Sequence, residues 1–116
     1  MGKIKQNKTR VSIILPEALF KEMNEKIEAS GYGAHKVSFW VTEALDKLIA
    51  TPGFPELVQI GDSMSQLKKT IFLTLKDDAY ARLNNAVIDV RSQFPAIDGV
   101  KSRILRTAII QRLLRE

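Results

Sequence analysis

Thr9-Arg10-Val11-Ser12-Ile13-Ile14-Leu15-Pro16-Glu17 decides the fold, because it returns sixty residues later as Lys69-Thr70-Ile71-Phe72-Leu73-Thr74-Leu75-Lys76-Asp77. The correspondence runs on through Phe20/Tyr80, Met23/Leu83, Asn24/Asn84 and Ile27/Val87. The first stretch alternates with period two, as a half-buried strand does: Val11, Ile13 and Leu15 share one face, Arg10, Ser12 and Ile14 the other. In the second copy Ile71, Leu73 and Leu75 match the first set. Periodicity alone is ambiguous across Ile71-Phe72-Leu73, so the alignment of the two copies sets the faces. A repeated unit too small to bury a core by itself must pair with another copy.

Helical spacing follows each strand. Pro16 ends the first and opens a helix, where its missing N–H costs nothing and Glu17 meets the positive helix end. Leu19, Phe20, Met23 and Ile27 then carry the apolar stripe. Ser30-Gly31-Tyr32-Gly33 stops it, with a glycine available for a left-handed cap. A second helix is expected from Lys36 to Ala50, through Val37, Trp40, Val41, Ala44, Leu45, Leu48 and Ile49. Thr51-Pro52-Gly53-Phe54-Pro55 breaks it, and 51–67 reads as a linker with room for a helical turn at Glu56 to Ile60. In the second copy Asp77 and Asp78 open a helix carrying Ala79, Leu83, Val87, Val90 and Phe94. After Pro95 to Gly99, a last helix spans Val100 to Arg115 with Ile104, Leu105, Ala108, Ile109, Leu113 and Leu114 apolar. The expected organisation is an arm at 1–8, one unit at 9–50, a linker at 51–67 and a second unit at 68–116.

The 116 residues suit one ordinary domain, or two half-size units sharing one core. With 45% hydrophobic and 27% charged residues, a soluble globular protein is expected rather than a disordered one. No apolar run approaches a membrane span. Met1 to Arg10 is polar and basic, unlike a signal peptide. Without cysteine there is no disulfide, thiolate metal site or cysteine nucleophile. A cytoplasmic location is the simplest expectation. The single histidine, His35, has no second metal ligand beside it, so no metal or other cofactor is implied. Asp77 and Asp78 are adjacent and diverge on a helix, a poor acid–base pair. No phosphate-binding glycine loop or nucleophile elbow occurs, and an enzyme is not expected.

The net charge of +5 invites a polyanionic partner. Lys3, Lys5, Lys8 and Arg10 precede or enter the first strand, and Lys68 and Lys69 the second. Lys101, Arg103, Arg106, Arg112 and Arg115 load the last helix. Basic residues before both copies of one strand weigh against a merely solubilising surface.

Strand, Leu15-Pro16-Glu17, helix, loop, and a helix containing Ser38-Phe39-Trp40-Val41-Thr42-Glu43-Ala44-Leu45 together resemble the ribbon–helix–helix DNA-binding superfamily. Ser102-Arg103-Ile104-Leu105-Arg106-Thr107-Ala108-Ile109 repeats the second-helix pattern of small polar, any, two apolar, two any, alanine, apolar. The resemblance implies a mainly α fold with a short β ribbon: two β-α-α units pairing through two antiparallel strands, one face on the helices and the other free for the major groove. It implies double-stranded DNA as partner, with Arg10, Ser12, Ile14, Thr70, Phe72 and Thr74 facing the bases. Ile14 and Phe72 depart from the polar residues usual there, as Phe39 does in the second helix, where helical spacing groups Phe39 with Trp40 as core and the linker or another subunit is the alternative for Phe39. The resemblance also implies phosphate contacts at the start of each second helix: Lys36, Val37 and Ser38, then Lys101 and Ser102. Ordinary helix capping is the other role open to the two serines.

Transcriptional repression or autoregulation is the function this implies. An accessory role in plasmid conjugation or segregation, where tandem units also occur, is the alternative within DNA binding. An antitoxin or protein-interaction module is the alternative outside it. The 51–67 segment could span about 50 Å when extended, enough for the second strand to return beside the first. Such an intrachain pseudo-dimer is favoured by effective concentration, against a homodimer in which each strand pairs with its counterpart on a second chain.

Overall fold

The computed structural model describes residues 8–31, 36–60 and 67–115, with the side chains of Lys36, Leu67 and Lys68 outside that description. The elements are β1 (Lys8–Pro16), α1 (Glu17–Ser30), α2 (Lys36–Ile49), α3 (Phe54–Ile60), β2 (Leu67–Lys76), α4 (Asp77–Gln93) and α5 (Val100–Arg115). The fold is mainly helical, with one two-stranded antiparallel sheet.

β1 pairs with β2 of the same chain, and the register places Arg10 opposite Thr74, Ser12 opposite Phe72 and Ile14 opposite Thr70. Ser12 and Phe72 are also equivalent in the sequence repeat, so the ribbon has a local two-fold axis through that pair. Alternation then decides burial. Val11, Ile13, Leu15, Ile71, Leu73 and Leu75 are buried on the helices, each contributing roughly 1.5–3 kcal/mol relative to exposure. Their neighbours on the other face stay in solvent.

The helices close beneath the ribbon. Gly31 ends α1 in the left-handed conformation (φ 72°), its N–H donating to Glu28 O, a geometry that costs glycine least. The most extensive helix–helix contact joins α2 to α5, which bring Trp40, Val41, Ala44, Leu45 and Leu48 against Ile104, Leu105, Ala108 and Ile109. Arg82 on α4 donates to both carboxylate oxygens of Asp46 on α2, at 2.7 and 3.3 Å.

Three expectations need correction. The 51–67 segment is not all linker, because α3 folds there and buries Phe54, Pro55 and Val58. Arg103 ties it to α5 by donating to Gln59 O at 3.2 Å. Leu114, expected on the apolar face of α5, is 76% exposed, while Arg106, Thr107 and Arg112 are buried. The reason is the width of the α5 contact: packed against α2, β1 and α4 together, it buries nearly its whole circumference near residues 104–109. Phe39, grouped with Trp40 as core, is 54% exposed, whereas Trp40 is fully buried.

Candidate nucleic-acid interface

The outward face of the ribbon gathers Arg10, Ser12, Ile14, Thr70, Phe72 and Thr74, all exposed. The backbone alternation that buries the core puts them there, so their side chains are free of any packing duty toward the helices. One contact organises the face. The Arg10 guanidinium carbon lies 4.1 Å from the Phe72 ring centroid, a diagonal cross-strand cation–π stack. At the same end Lys8 lies directly opposite Lys76, two exposed ammonium groups in register. Like charges so placed repel. An anion received between them would relieve that repulsion.

Both flanks of the ribbon are sealed by serines from the second helices. Thr74 N–H donates to Ser38 Oγ at 3.0 Å, and Ile14 N–H donates to Ser102 Oγ at 3.4 Å. These pairs are equivalent in the repeat, and each serine serves the strand of the other copy. A two-stranded ribbon consists of edges, whose open N–H groups would otherwise template further strands. Ser38 and Ser102 therefore have a structural duty in addition to the phosphate contact expected of them. Arg106 reinforces the second seal, its Nη1 donating to Ile14 O at 3.2 Å and to Ser102 Oγ at 3.1 Å.

The remaining basic residues divide. Lys8 and Lys76 are exposed beside the ribbon's outward face. Lys69 falls on the inward phase of β2 and sits 4.6 Å from the Phe20 ring centroid, turned toward α1. Lys101 Nζ donates to Tyr80 Oη at 3.0 Å, just inside the start of α5. That hydrogen bond, and then the ammonium charge, hold the Tyr80 phenol below its ordinary value near 10, against the opposing effect of burial. Val37 is half-buried. Lys3, Lys5 and His35, and the side chains of Lys36 and Lys68, lie outside the described residues.

Two grooves run beside the ribbon. One, about 480 Å³, is lined by Arg10, Ser12, Tyr80, Arg91, Lys101 and Ser102 among others, with no carboxylate in its wall. The other, about 310 Å³, has Lys8, Ser38, Phe39, Thr74 and Lys76 in its wall, with Asp78 held 3.6 Å from Arg82. Hydrogen-bond donors thus line both sides of the exposed ribbon face, whose described cations gather at the Lys8–Lys76 end, an arrangement suited to a backbone of phosphates.

Sequence reasoning missed Lys76, whose position in the outward phase of β2 was the available signal. It also misplaced Arg106 and Arg112 among surface charges. Arg112 Nη1 donates to Trp40 O at 2.9 Å and Glu43 Oε1 at 3.0 Å, with its guanidinium 4.5 Å from the Trp40 ring centroid. Among the described residues no group of three or more His, Cys, Asp or Glu could hold a metal ion, and no helix is long and apolar enough to cross a membrane. The chain matches no protein-family model, and comparison with curated proteins and with solved structures returned no match.

Proposed function

We propose that this chain binds double-stranded DNA sequence-selectively, laying the β1–β2 ribbon in the major groove, and acts as a transcriptional repressor or autoregulator. The reading takes the chain as two ribbon–helix–helix units whose strands pair internally, a covalent counterpart of a dimer. The observation that carries it is the ribbon's outward face: six exposed side chains free of core packing, flanked on both sides by the first turns of α2 and α5. A groove about 12 Å wide admits a two-stranded ribbon. Phosphates on either wall then meet the helix starts, where open N–H groups and the helix dipole favour anions.

Within this reading Arg10 carries the most base discrimination, since a guanidinium edge matches guanine O6 and N7. Selection from a random duplex library tests it. The intact chain should enrich a defined sequence, and Arg10→Ala should still bind while losing about tenfold preference at one base pair, within the range for a bidentate contact. Unchanged selectivity in Arg10→Ala would remove the ribbon from the reading role. Failure to enrich any duplex would remove DNA recognition altogether.

A further inference from the structure

The two-fold axis through Ser12 and Phe72 relates Arg10 to Thr70, Ile14 to Thr74 and Lys76 to Pro16. At each of these positions the two residues differ in chemistry. A ribbon with identical halves would present the same face after a half-turn and could lie on a duplex either way round. This one cannot. Among the described side chains, its Arg10 end carries three exposed cations, Lys8, Arg10 and Lys76, and the opposite end presents Ile14, Thr70 and Pro16, with Lys68, the counterpart of Lys8, outside that description.

Resting on the DNA-binding reading above, we propose that the ribbon is directional and that Phe72 is the positioning residue that makes it so. Phe72 sits at the centre of the face, 56% exposed, without the packing role that would otherwise explain an aromatic there. Its ring takes the flat face of the Arg10 guanidinium at 4.1 Å. Stacking occupies the π surface and leaves the in-plane N–H donors free, so a stacked arginine remains able to bond a guanine edge. Holding it in place before binding reduces the side-chain freedom lost on binding. The Arg10 end therefore seeks a guanine between phosphates that relieve the Lys8–Lys76 repulsion. The Ile14 end, where Ile14 and Thr70 stand in place of Thr74 and Arg10, fits thymine methyl groups.

The chain has no cysteine, so a single introduced thiol is a unique attachment point. Glu17 and Asp77 are equivalent in the repeat, exposed, and lie just beyond opposite ends of the ribbon. Glu17→Cys and Asp77→Cys, each carrying an iron–EDTA cleaving group, are bound to the duplex enriched by the intact chain. The expected result is cutting by Asp77→Cys only on the flank beside the preferred guanine, and by Glu17→Cys only on the opposite flank. Cutting of both flanks equally by each conjugate overturns directionality while leaving DNA binding intact; a library yielding no enriched duplex overturns the underlying reading instead. For the positioning role, Phe72→Leu should lower guanine preference at the Arg10 base pair about threefold, the scale of an exposed cation–π contact, and Phe72→Tyr should restore it. Equal guanine preference in Phe72→Leu and the intact chain overturns that role.

Discussion

The second helices of the two copies, α2 and α5, share one sequence pattern but fill their shared interface unequally. Where α2 has Trp40, α5 has Ile104; where α2 has Leu48, α5 has Arg112; where α2 has Thr42, α5 has Arg106. The large indole and the long guanidinium meet across the local axis, and Arg112 stacks on Trp40 while bonding its carbonyl. Arg106 likewise reaches back to the first copy's Ile14 O. Neither bond is returned among the described residues, since Leu48 has no side-chain donor and the Thr42 hydroxyl donates to Ser38 O. A symmetric homodimer repeats every contact twice about its axis, so volume cannot be moved from one side to the other without a clash or a hole. Within one chain it can, and the same freedom separates the two outward triads.

The strongest way to break this comparison is to truncate the two sides in turn. Trp40→Ala should cost about 3–5 kcal/mol of unfolding free energy and Ile104→Ala distinctly less, since the indole leaves the larger cavity. Denaturant titration decides, and equal losses would mean the interface volume is not skewed toward α2. Next in size is Arg112. Arg112→Ala removes the stem packed on Trp40 and strips a partner from a buried carbonyl, at about 2 kcal/mol. Arg112→Leu restores the residue found at the equivalent site in α2 and should fall within about 1 kcal/mol of the native chain, as apolar replacement of a buried ionic group often does. If leucine proves as damaging as alanine, the polar bonds rather than the packing make the two helices unlike.

The smallest effect concerns the serine seals, where the copies still agree. Ser38→Ala and Ser102→Ala should each cost about 1 kcal/mol. Amide hydrogen exchange gives the sharper readout: Ser38→Ala should accelerate exchange at Thr74 and leave Ile14 protected, and Ser102→Ala the reverse. Exchange rising at both amides in either variant would show the seals act as one unit rather than two.

Much of this was legible in the sequence for one reason. Period-two alternation and helical spacing are local, and they survive at Val11-Ser12-Ile13 and at Met23 and Ile27 whatever the partner. α3 was hard to see because Pro52, Gly53 and Pro55 are breakers locally, and only burial of Phe54 and Val58 against the rest of the fold rewards a helix there. Arg106 and Arg112 were misjudged because arginine is usually exposed. Their burial depends on a carbonyl and an indole contributed by residues some seventy to ninety positions away. Within the interface, the outward triads could be read from alternation. The Arg10–Phe72 stack and the Lys8–Lys76 repulsion could not, because they exist only in one pairing register.

By itself the sequence determined that two copies of a strand and two helices exist, which face of each strand is inward, and that the outward residues differ between copies. Those properties follow from side-chain polarity read against fixed backbone periods. The tertiary structure alone decided that β1 pairs with β2 of its own chain in the register that opposes Ser12 to Phe72, and with it which charges and rings meet. Register is a choice among pairings of similar local energy, and burying one face of both strands on α2 and α5 selects among them.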